Sequence, residues 1–116
     1  MTDSDTSVFS RIIAGEIPAD VVYDSERFIA FRDIAPQAPV HILVVPKTER
    51  YRDVVELAAA DPGLLAELVA TADGIAREHS DGDFRLVFNT GPGAGQTVFH
   101  VHAHVLAGGL AEGTLG

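Results

Sequence analysis

The sequence predicts an α+β fold that combines five strands with one long helix and a short N-terminal helix. Val, Ile, Phe and Tyr cluster in five short runs that are typical of strands: residues 21–24, 28–32, 40–45, 84–89 and 100–107. A long stretch with helical periodicity, from Pro62 to about His79, separates the third run from the fourth. Five strands with one long helix inserted between the third and the fourth indicate the α+β class.

Local signals support both predicted helices. Asp61 is the expected N-cap of the long helix, and Pro62 suits its first position because that position needs no backbone N–H. The apolar stripe of this helix is predicted to be Leu65, Leu68, Val69, Ala72, Ile75 and Ala76. Ser7 is the expected cap of the short helix, which runs from about Val8 to Ala14 and ends at Gly15.

Length and composition indicate one domain without disulfides. The 116 residues leave little room for a second domain, so we expect a single domain over 1–116 with a disordered start at 1–6. The chain has no Cys, which excludes disulfides and thiolate metal sites. It has 8 Lys and Arg against 17 Asp and Glu, and this formal charge of -9 repels a nucleic acid polymer. A small nucleotide can still be held by backbone amides and hydroxyls.

The hydropathy pattern predicts neither a membrane partner nor secretion. No apolar run reaches the length of a transmembrane helix. The polar start, Met1 to Ser7, lacks the apolar region of a signal peptide. We therefore expect a cytoplasmic location.

Three histidines alternate with small or apolar residues near the end of the chain, as His100-x-His102-x-His104. Side chains alternate between the two faces of a strand, so we expect the three imidazoles on one face, about 7 Å apart at a rise of about 3.3 Å per residue. The residues between them are left to pack into a core. A row of titratable nitrogens on a rigid strand indicates a metal site, or a nucleophile with acid and base helpers.

A glycine-rich segment, from Asn89 to Thr97, leads directly into the histidine row. Gly and Pro are typical of a flexible hairpin loop, but this loop also brings amide and hydroxyl donors to the histidines. No Asp, Glu, Lys or Arg occurs from Leu86 to Ala111. A phosphate bound here would therefore be held by neutral donors and imidazoles.

Three kinds of chemistry are weighed for the histidines. Zinc is the minority alternative: histidines two residues apart on a strand can chelate it, but the next acid after the row is Glu112. A serine hydrolase would need Gly-x-Ser-x-Gly, and a P-loop would need Gly-Lys-Ser/Thr; the chain has neither. The remaining chemistry is a histidine nucleophile, because a neutral imidazole can attack phosphorus when its other nitrogen is held by a carbonyl.

The histidine row, followed by two apolar residues and preceded by Gly95-Gln96-Thr97, resembles the histidine triad (HIT) superfamily of nucleotide hydrolases and transferases. Residues 31–41, together with 44–47 and 9–19, resemble its Hint branch, the purine nucleoside phosphoramidases. The resemblance covers nearly the whole chain. It implies a HIT fold with a five-stranded antiparallel sheet, a two-fold homodimer, a purine nucleotide substrate, and no cofactor or metal.

The resemblance also implies catalytic roles. His102 corresponds to the nucleophile that attacks the α-phosphorus, and the backbone carbonyl of His100 would orient its ring. His104 would contact the phosphate or the leaving group, and His41 would support the triad. Thr97 stands where many relatives have Ser and keeps the hydroxyl.

The substrate-binding residues are implied in the same way. Asn89, Gly95 and Gln96 would cradle the phosphate together with Thr97, and Asp33 would bind the ribose hydroxyls. The purine slot would be formed by Phe9, Ile12, Phe31, Ile34 and Leu43. From the residues alone, these apolar side chains could equally be core, and Asp33 could serve a turn before Pro36.

The chain departs from the Hint pattern at its C-terminus. Many Hint relatives have a Trp in a tail that shapes the leaving-group side of the site, whereas this chain has no Trp. The expected function is hydrolysis of a P–N or related P–O bond of purine nucleoside 5′-phosphoramidates through a nucleotidyl-histidine. Two alternatives stay open: a non-catalytic nucleotide-binding or scaffold protein of the same fold, and a Fhit-like hydrolase of dinucleoside polyphosphates.

Overall fold

The computed structural model describes residues 7–111 and contains three helices, five strands and a short 3₁₀ turn within them. The helices are α1 (Val8–Ile13), α2 (Val54–Ala60) and α3 (Pro62–His79). The strands are β1 (Val21–Asp24), β2 (Phe28–Arg32), β3 (Val40–Pro46), β4 (Arg85–Val87) and β5 (Ala103–Ala107). The α+β prediction is confirmed. The expected disorder at 1–6 lies outside the described residues.

The five strands form one antiparallel sheet in the order β1-β2-β3-β5-β4. β3 and β5 are central, and their register places His41 opposite Leu106 and Leu43 opposite His104. The hairpin-linked strands β1, β2 and β3 are neighbours, so the long connection through α2 and α3 brings β4 and β5 to the other side of β3. The candidate site residues of β3 and β5 therefore lie side by side at the middle of the sheet.

Each face of the sheet has its own apolar cluster. On one face, α2 and α3 cover the larger cluster, which includes Leu57, Leu68, Ile75, Val101, Ala103 and Val105. On the other face, α1 packs against the sheet and forms the smaller cluster. This cluster consists of Phe9, Ile29, Phe31, Leu43 and Val45. Because side chains alternate along a strand, burial of Ala103 and Val105 under the long helices directs His104 to the α1 face.

All three helices begin at a side-chain cap. Ser7 accepts a hydrogen bond from the backbone N–H of Ser10, and Asp61 accepts one from Leu64, as the sequence predicts. Asp53 accepts one from Glu56 at the start of α2. The sequence analysis did not predict α2, although Asp53 and Glu56 form a capping-box pattern that indicates a helix start.

Three predicted details differ from the structure. β5 begins at Ala103 instead of His100, because the N–H of Val101 bonds to the carbonyl of Tyr51 instead of to a strand. β4 is shorter than predicted and covers Arg85–Val87. Val69 was assigned to the apolar stripe of α3, but its side chain is 42% exposed. Among the described residues, no helix is long and apolar enough to cross a membrane.

Candidate active site

A cavity of about 400 Å³ opens on the α1 face of the sheet. One end is apolar and the other carries two imidazoles, a hydroxyl and a carboxylate. The apolar lining comes from Val8, Phe9, Ile12, Ile17, Pro18, Ala19, Phe31, Ile34, Leu43 and Val98, and the polar lining comes from Arg32, Asp33, Thr97, His102 and His104. A cavity with this division suits a ligand that has a flat apolar end and an anionic end.

His102 presents one free ring nitrogen to this cavity. Its Nδ1 lies 2.8 Å from the backbone carbonyl oxygen of His100. A carbonyl can only accept, so Nδ1 carries the proton and Nε2 of the neutral ring keeps its lone pair. The ring of Phe9 packs edge-on against His102, with 4.8 Å between ring centroids, and holds it from the α1 side. Burial lowers the pKa of His102, which keeps the ring neutral at pH 7.

His100 is buried away from the cavity. The residue is 2% exposed, and its ring does not line the cavity. The sequence predicts all three imidazoles on one face, and the structure places the ring of His100 on the α1 face with the other two, 6.1 Å from the ring of Phe9, although His100 and His102 both precede β5. Its Nε2 lies 2.7 Å from the carbonyl oxygen of Pro46 at the end of β3, and its Nδ1 lies 2.8 Å from the hydroxyl of Ser7. The backbone carbonyl of His100 holds His102, as the resemblance implies.

His41 and His104 form a second hydrogen-bonded pair. The backbone N–H of Gln37 donates to Nδ1 of His41, 3.0 Å away, so the proton of neutral His41 is on Nε2. Nε2 of His41 lies 2.9 Å from Nδ1 of His104, which therefore accepts. The proton of His104 is left on Nε2, a buried atom without a hydrogen-bond partner among the described residues. This N–H is therefore a donor without an acceptor among the described residues.

The charges around this pair oppose protonation of His104. Burial, together with repulsion from His102 and His41 if those rings were charged, lowers the pKa of His104 to about 4. Burial also lowers the pKa of His41, although the carboxylate of Asp33 acts in the opposite direction. Both rings are therefore neutral at pH 7, and His104 acts there as a neutral N–H donor.

Asp33 has two roles within the folded chain. Its Oδ1 accepts the backbone N–H of Ala35 at 2.8 Å, which is the turn role that the sequence left open. Its Oδ2 lies 3.5 Å from Nε2 of His41. Asp33 also lines the cavity beside Ile34, so its position is compatible with contact to a ribose.

The glycine-rich loop is folded, and Gln96 holds it together. Its amide nitrogen donates to the carbonyl of Arg52 at 2.6 Å, and its Oε1 accepts the backbone N–H of Gly91 at 2.8 Å. The side chain of Gln96 therefore shapes the loop, because the residue is 3% exposed and its polar atoms are paired, and a part for Gln96 in the phosphate cradle stays a prediction. Gly95 adopts φ +95°, a conformation that favours glycine, and its N–H donates to Pro92.

Thr97 and Asn89 lie on different sides of His104. Thr97 is exposed and lines the cavity with His102. Asn89 lines a neighbouring cavity of about 310 Å³, which shares Asp33 and His104 with the first and also contains His41. The two predicted phosphate ligands therefore approach the imidazole of His104 from two cavities.

The predicted purine slot is assembled as a wall of the main cavity. Phe9, Phe31 and Leu43 are buried and line it, with the two Phe rings 5.5 Å apart in an edge-to-face contact. Ile12 is half-buried at its edge. Ile34 also lines the cavity, but its side chain is 101% exposed and therefore projects from the rim instead of belonging to the core.

The group formed by Asp33, His41 and His104 has the composition of a metal site, with its ligand atoms within 4.8 Å of one another. The sequence shows no acid close to the histidine row along the chain, but the fold brings Asp33 to this pair of histidines. The proton arrangement nevertheless does not suit zinc. A zinc-bound histidine donates its second N–H to an acceptor, whereas His41 receives an N–H from Gln37 at Nδ1 and so has no lone pair at Nε2.

Sequence reasoning missed several residues that shape the site. Ser7 and Ser10 contact the ring of His100, at 2.8 Å and 3.4 Å from Nδ1. The sequence shows that the two serines stand three residues apart at the start of α1. It carries no signal for their contact with His100, which follows Ser10 by 90 residues. Pro46 contributes only its backbone carbonyl, for which a sequence carries no signal.

Comparison with known proteins identifies the family. A family model described as HIT domain matches residues 14–109. An uncharacterized HIT-like protein of Synechococcus elongatus is 48% identical over 106 residues, covering 90% of this chain and 92% of that protein. The purine nucleoside phosphoramidase of Escherichia coli is 38% identical over 107 residues, covering 90% and 89%. A solved HIT family hydrolase from Clostridium thermocellum superposes with a TM-score of 0.84 at 38% identity, covering 95% and 96%. With its histidine triad in place, the chain belongs to the HIT domain family.

Proposed function

We propose that this protein hydrolyses the P–N bond of purine nucleoside 5′-phosphoramidates, or a related P–O bond, through a nucleotidyl-His102 intermediate. The observation that carries the proposal is the hydrogen bond from Nδ1 of His102 to the carbonyl of His100, which leaves Nε2 as a free nucleophile on the cavity wall. The similarity to the phosphoramidase of Escherichia coli supports the choice of leaving atom.

In the first step, the lone pair on Nε2 of His102 forms a bond to the α-phosphorus as the bond from phosphorus to the leaving nitrogen breaks. The leaving amine departs with the electron pair of that bond and takes up a proton. The exposed hydroxyl of Thr97, on the same cavity wall, delivers this proton from solvent. The product is a nucleoside monophosphate joined to Nε2, with His102 as a positively charged ring.

In the second step, water attacks the same phosphorus and Nε2 of His102 leaves with its electron pair. The proton of the water passes back to solvent through the hydroxyl of Thr97, which reverses its role in the first step. The nucleoside monophosphate is released and His102 returns to its neutral form. The carbonyl of His100 keeps the ring orientation through both steps, because it accepts from Nδ1 in the neutral and the charged ring alike.

The phosphate would be stabilised by neutral groups. The N–H at Nε2 of His104 is buried and unpaired, so a phosphate oxygen would satisfy it at the point where negative charge accumulates. The amide of Asn89 and the hydroxyl of Thr97 lie in the two cavities that border this ring. Neutral donors avoid holding the product phosphate as tightly as Arg or Lys would.

The base would be recognised by shape. The apolar end of the cavity offers rings and aliphatic side chains but no hydrogen-bonding side chain apart from Arg32, which pairs with Asp20. Burial of a flat aromatic base against Phe9 and Phe31 is favourable for adenine and guanine alike. We therefore assign the protein to purine nucleotides without preference between the two bases.

Trapping the covalent intermediate tests the proposal. Adenosine 5′-phosphoramidate labelled at the α-phosphorus is mixed with excess protein, quenched in acid-free denaturant, and examined by mass spectrometry for nucleotide on the peptide that contains His102. Label on His102, followed by release of AMP, supports the proposal. Nucleotide binding without label or turnover identifies a binding or scaffold protein. Faster cleavage of diadenosine polyphosphates than of phosphoramidates identifies a Fhit-like hydrolase.

A further inference from the structure

Both ring nitrogens of His100 lie within hydrogen-bonding distance of groups that are far away along the chain. Nδ1 lies 2.8 Å from the hydroxyl oxygen of Ser7 and 3.4 Å from that of Ser10, and the two hydroxyl oxygens are 3.2 Å apart. Nε2 lies 2.7 Å from the carbonyl oxygen of Pro46. Both His100 and Ser10 are buried. A buried imidazole therefore links the first turn of α1 to the end of β3.

Chemistry fixes the direction of these hydrogen bonds. The carbonyl of Pro46 can only accept, so Nε2 of His100 carries the proton and Nδ1 accepts from a serine hydroxyl. The other neutral tautomer would direct a lone pair at the carbonyl of Pro46 and leave it without a donor. Burial lowers the pKa of His100, so the ring stays neutral at pH 7.

We propose that Ser7 and Ser10 are positioning residues for the nucleophile, acting through the ring and backbone of His100. This inference rests on the proposed function, because it concerns the residue assigned there as nucleophile. The two hydroxyls hold the ring of His100, the ring holds its backbone, and the backbone carbonyl holds Nδ1 of His102 at 2.8 Å. Through these contacts, α1 orients the ring of His102 and its Nε2 lone pair, although α1 precedes His102 by more than 80 residues.

The same helix contacts His102 directly, which strengthens the link. Phe9, between the two serines, packs its ring against His102 and against Phe31 in the purine wall. One turn of α1 therefore touches the base slot, the nucleophile and the residue that orients the nucleophile. A small misplacement of a reacting group can cost a large factor in rate even when binding is unchanged.

The test must separate this positioning role from helix capping, because Ser7 also accepts the backbone N–H of Ser10 at 3.0 Å. Four variants are made: Ser7→Ala, Ser10→Ala, the double variant, and Ser7→Thr, which keeps both the cap and the hydroxyl. Asp61→Ala is the matched control, because it removes the cap of α3, a helix that packs on the opposite face of the sheet from α1. Losing a cap costs about 1 kcal/mol in either helix.

Two measurements are made on each variant. The ¹⁵N chemical shifts of the histidine rings, recorded on the ligand-free protein, report which ring nitrogen of His100 and His102 carries the proton. Single-turnover kinetics with adenosine 5′-phosphoramidate report the rate of nucleotide transfer, and titration with AMP reports the dissociation constant. In the double variant we expect the ¹⁵N shift of Nδ1 of His100 to show the loss of its hydrogen-bond donor, while Nε2 stays protonated against the carbonyl of Pro46. We expect nucleotide transfer to be about tenfold slower, with an unchanged dissociation constant for AMP.

Recovery of the rate and of the Nδ1 shift of His100 in Ser7→Thr, with normal values in Asp61→Ala, supports the proposal. An unchanged rate and unchanged ring spectra in the double variant overturn it, as does an equal loss of rate in Asp61→Ala. If the wild-type protein never labels His102, the proposed function fails. The ring spectra would still decide whether the two serines donate to Nδ1 of His100, so the two failures are distinguishable.

Discussion

The Nε2 atom of His41 lies 2.9 Å from Nδ1 of His104, and this contact joins β3 to β5 inside the candidate site. The backbone N–H of Gln37 donates to His41, and His41 donates to His104. The N–H at Nε2 of His104 is left without an acceptor among the described residues. Protonation of either ring would interrupt this order, because two N–H groups would then face each other. The pair is thus the most acid-sensitive point of the site.

We expect the free energy of unfolding to fall as the pH falls from about 6.5 towards about 4. The pKa of His104 is lowered from 6.5 to about 4 in the folded protein, so in this range the unfolded chain binds a proton that the folded chain does not. The contribution is fully present above the unfolded pKa and lost as the pH falls through the folded one. Urea unfolding across this range measures it. His104→Gln should show a weaker pH dependence than His79→Gln; equal slopes would contradict the assignment.

Replacing the nucleophile should stop the reaction without unfolding the protein. We expect His102→Ala to lower turnover of adenosine 5′-phosphoramidate by several orders of magnitude, roughly 10³-fold or more, because no other imidazole has a free Nε2 lone pair on the cavity wall. AMP binding should persist, since the apolar wall is kept. Steady-state kinetics and calorimetry measure the two properties. His79→Ala is the control, and activity of His102→Ala within about tenfold of wild type would remove His102 from the role.

Catalysis should not depend on a metal ion. The nucleophile needs its lone pair for phosphorus, and His41 has its proton on Nε2, towards His104 and Asp33. We expect full activity after dialysis against EDTA, and inhibition by added zinc because the ion competes for imidazole nitrogens. Initial rates with and without chelator measure this. Loss of activity in EDTA with recovery on addition of zinc would establish the metal alternative.

Asp33 should contribute to ribose binding, and its role in the turn can be separated from that contribution. Charge-assisted hydrogen bonds of this kind are worth about 1.5–3 kcal/mol, so Asp33→Ala should weaken AMP binding by about tenfold to a hundredfold. Asp33→Asn keeps an oxygen for the N–H of Ala35 and is the control for the turn. Wild type should discriminate against 2′-deoxy and 2′,3′-dideoxy substrates, and Asp33→Ala should not. Equal discrimination by both proteins would leave Asp33 with its turn role alone.

The protein is expected to be a homodimer, as its resemblance to the family implies. The apolar face of α3 is largely covered by the chain's own core, through Leu64, Leu68, Ala72 and Ile75. Val69 remains 42% exposed, and β4 lies at the edge of the sheet. Light scattering should give a mass near twice 12.3 kDa. Val69→Asp should lower this mass, whereas Val55→Asp on α2 should not. A monomeric wild-type mass at micromolar concentration would refute the prediction.

The elements that the sequence predicts well are those with strong local signals. The bounds of β1, β2 and α3 agree with the structure, because β-branched runs end at turn residues and Asp61 with Pro62 marks a helix start. α2 was missed because its seven residues follow a short loop and are rich in alanine, which gives little periodicity. The start of β5 was placed too early because only a tertiary contact, from Val101 to Tyr51, keeps the preceding residues out of the sheet.

The candidate site was predictable to a similar extent. The spacing of the histidines and the resemblance to a family identified His102 and its neighbours, and the structure brings His41 to His104 as expected of a supporting residue. The contacts of the Gln96 side chain with the backbone of Arg52 and Gly91 could not be predicted, because the sequence does not show which backbone groups the fold brings to it. The contact of Ser7 with His100 and the position of the proton on each imidazole could not be predicted, because they depend on groups that only the fold brings together.

For three of the four imidazoles near the site, a main-chain group fixes which ring nitrogen carries the proton: the carbonyl of Pro46 for His100, the carbonyl of His100 for His102, and the N–H of Gln37 for His41. The fourth, His104, takes its tautomer from the ring of His41. Main-chain groups are the same whatever side chain they carry. The cavity lining can therefore accumulate substitutions while the nucleophile keeps its reactive form. Substrate preference in this scaffold is free to drift over evolutionary time, and a designer can vary the walls at Ile12 or Ile34 without having to rebuild the chemistry.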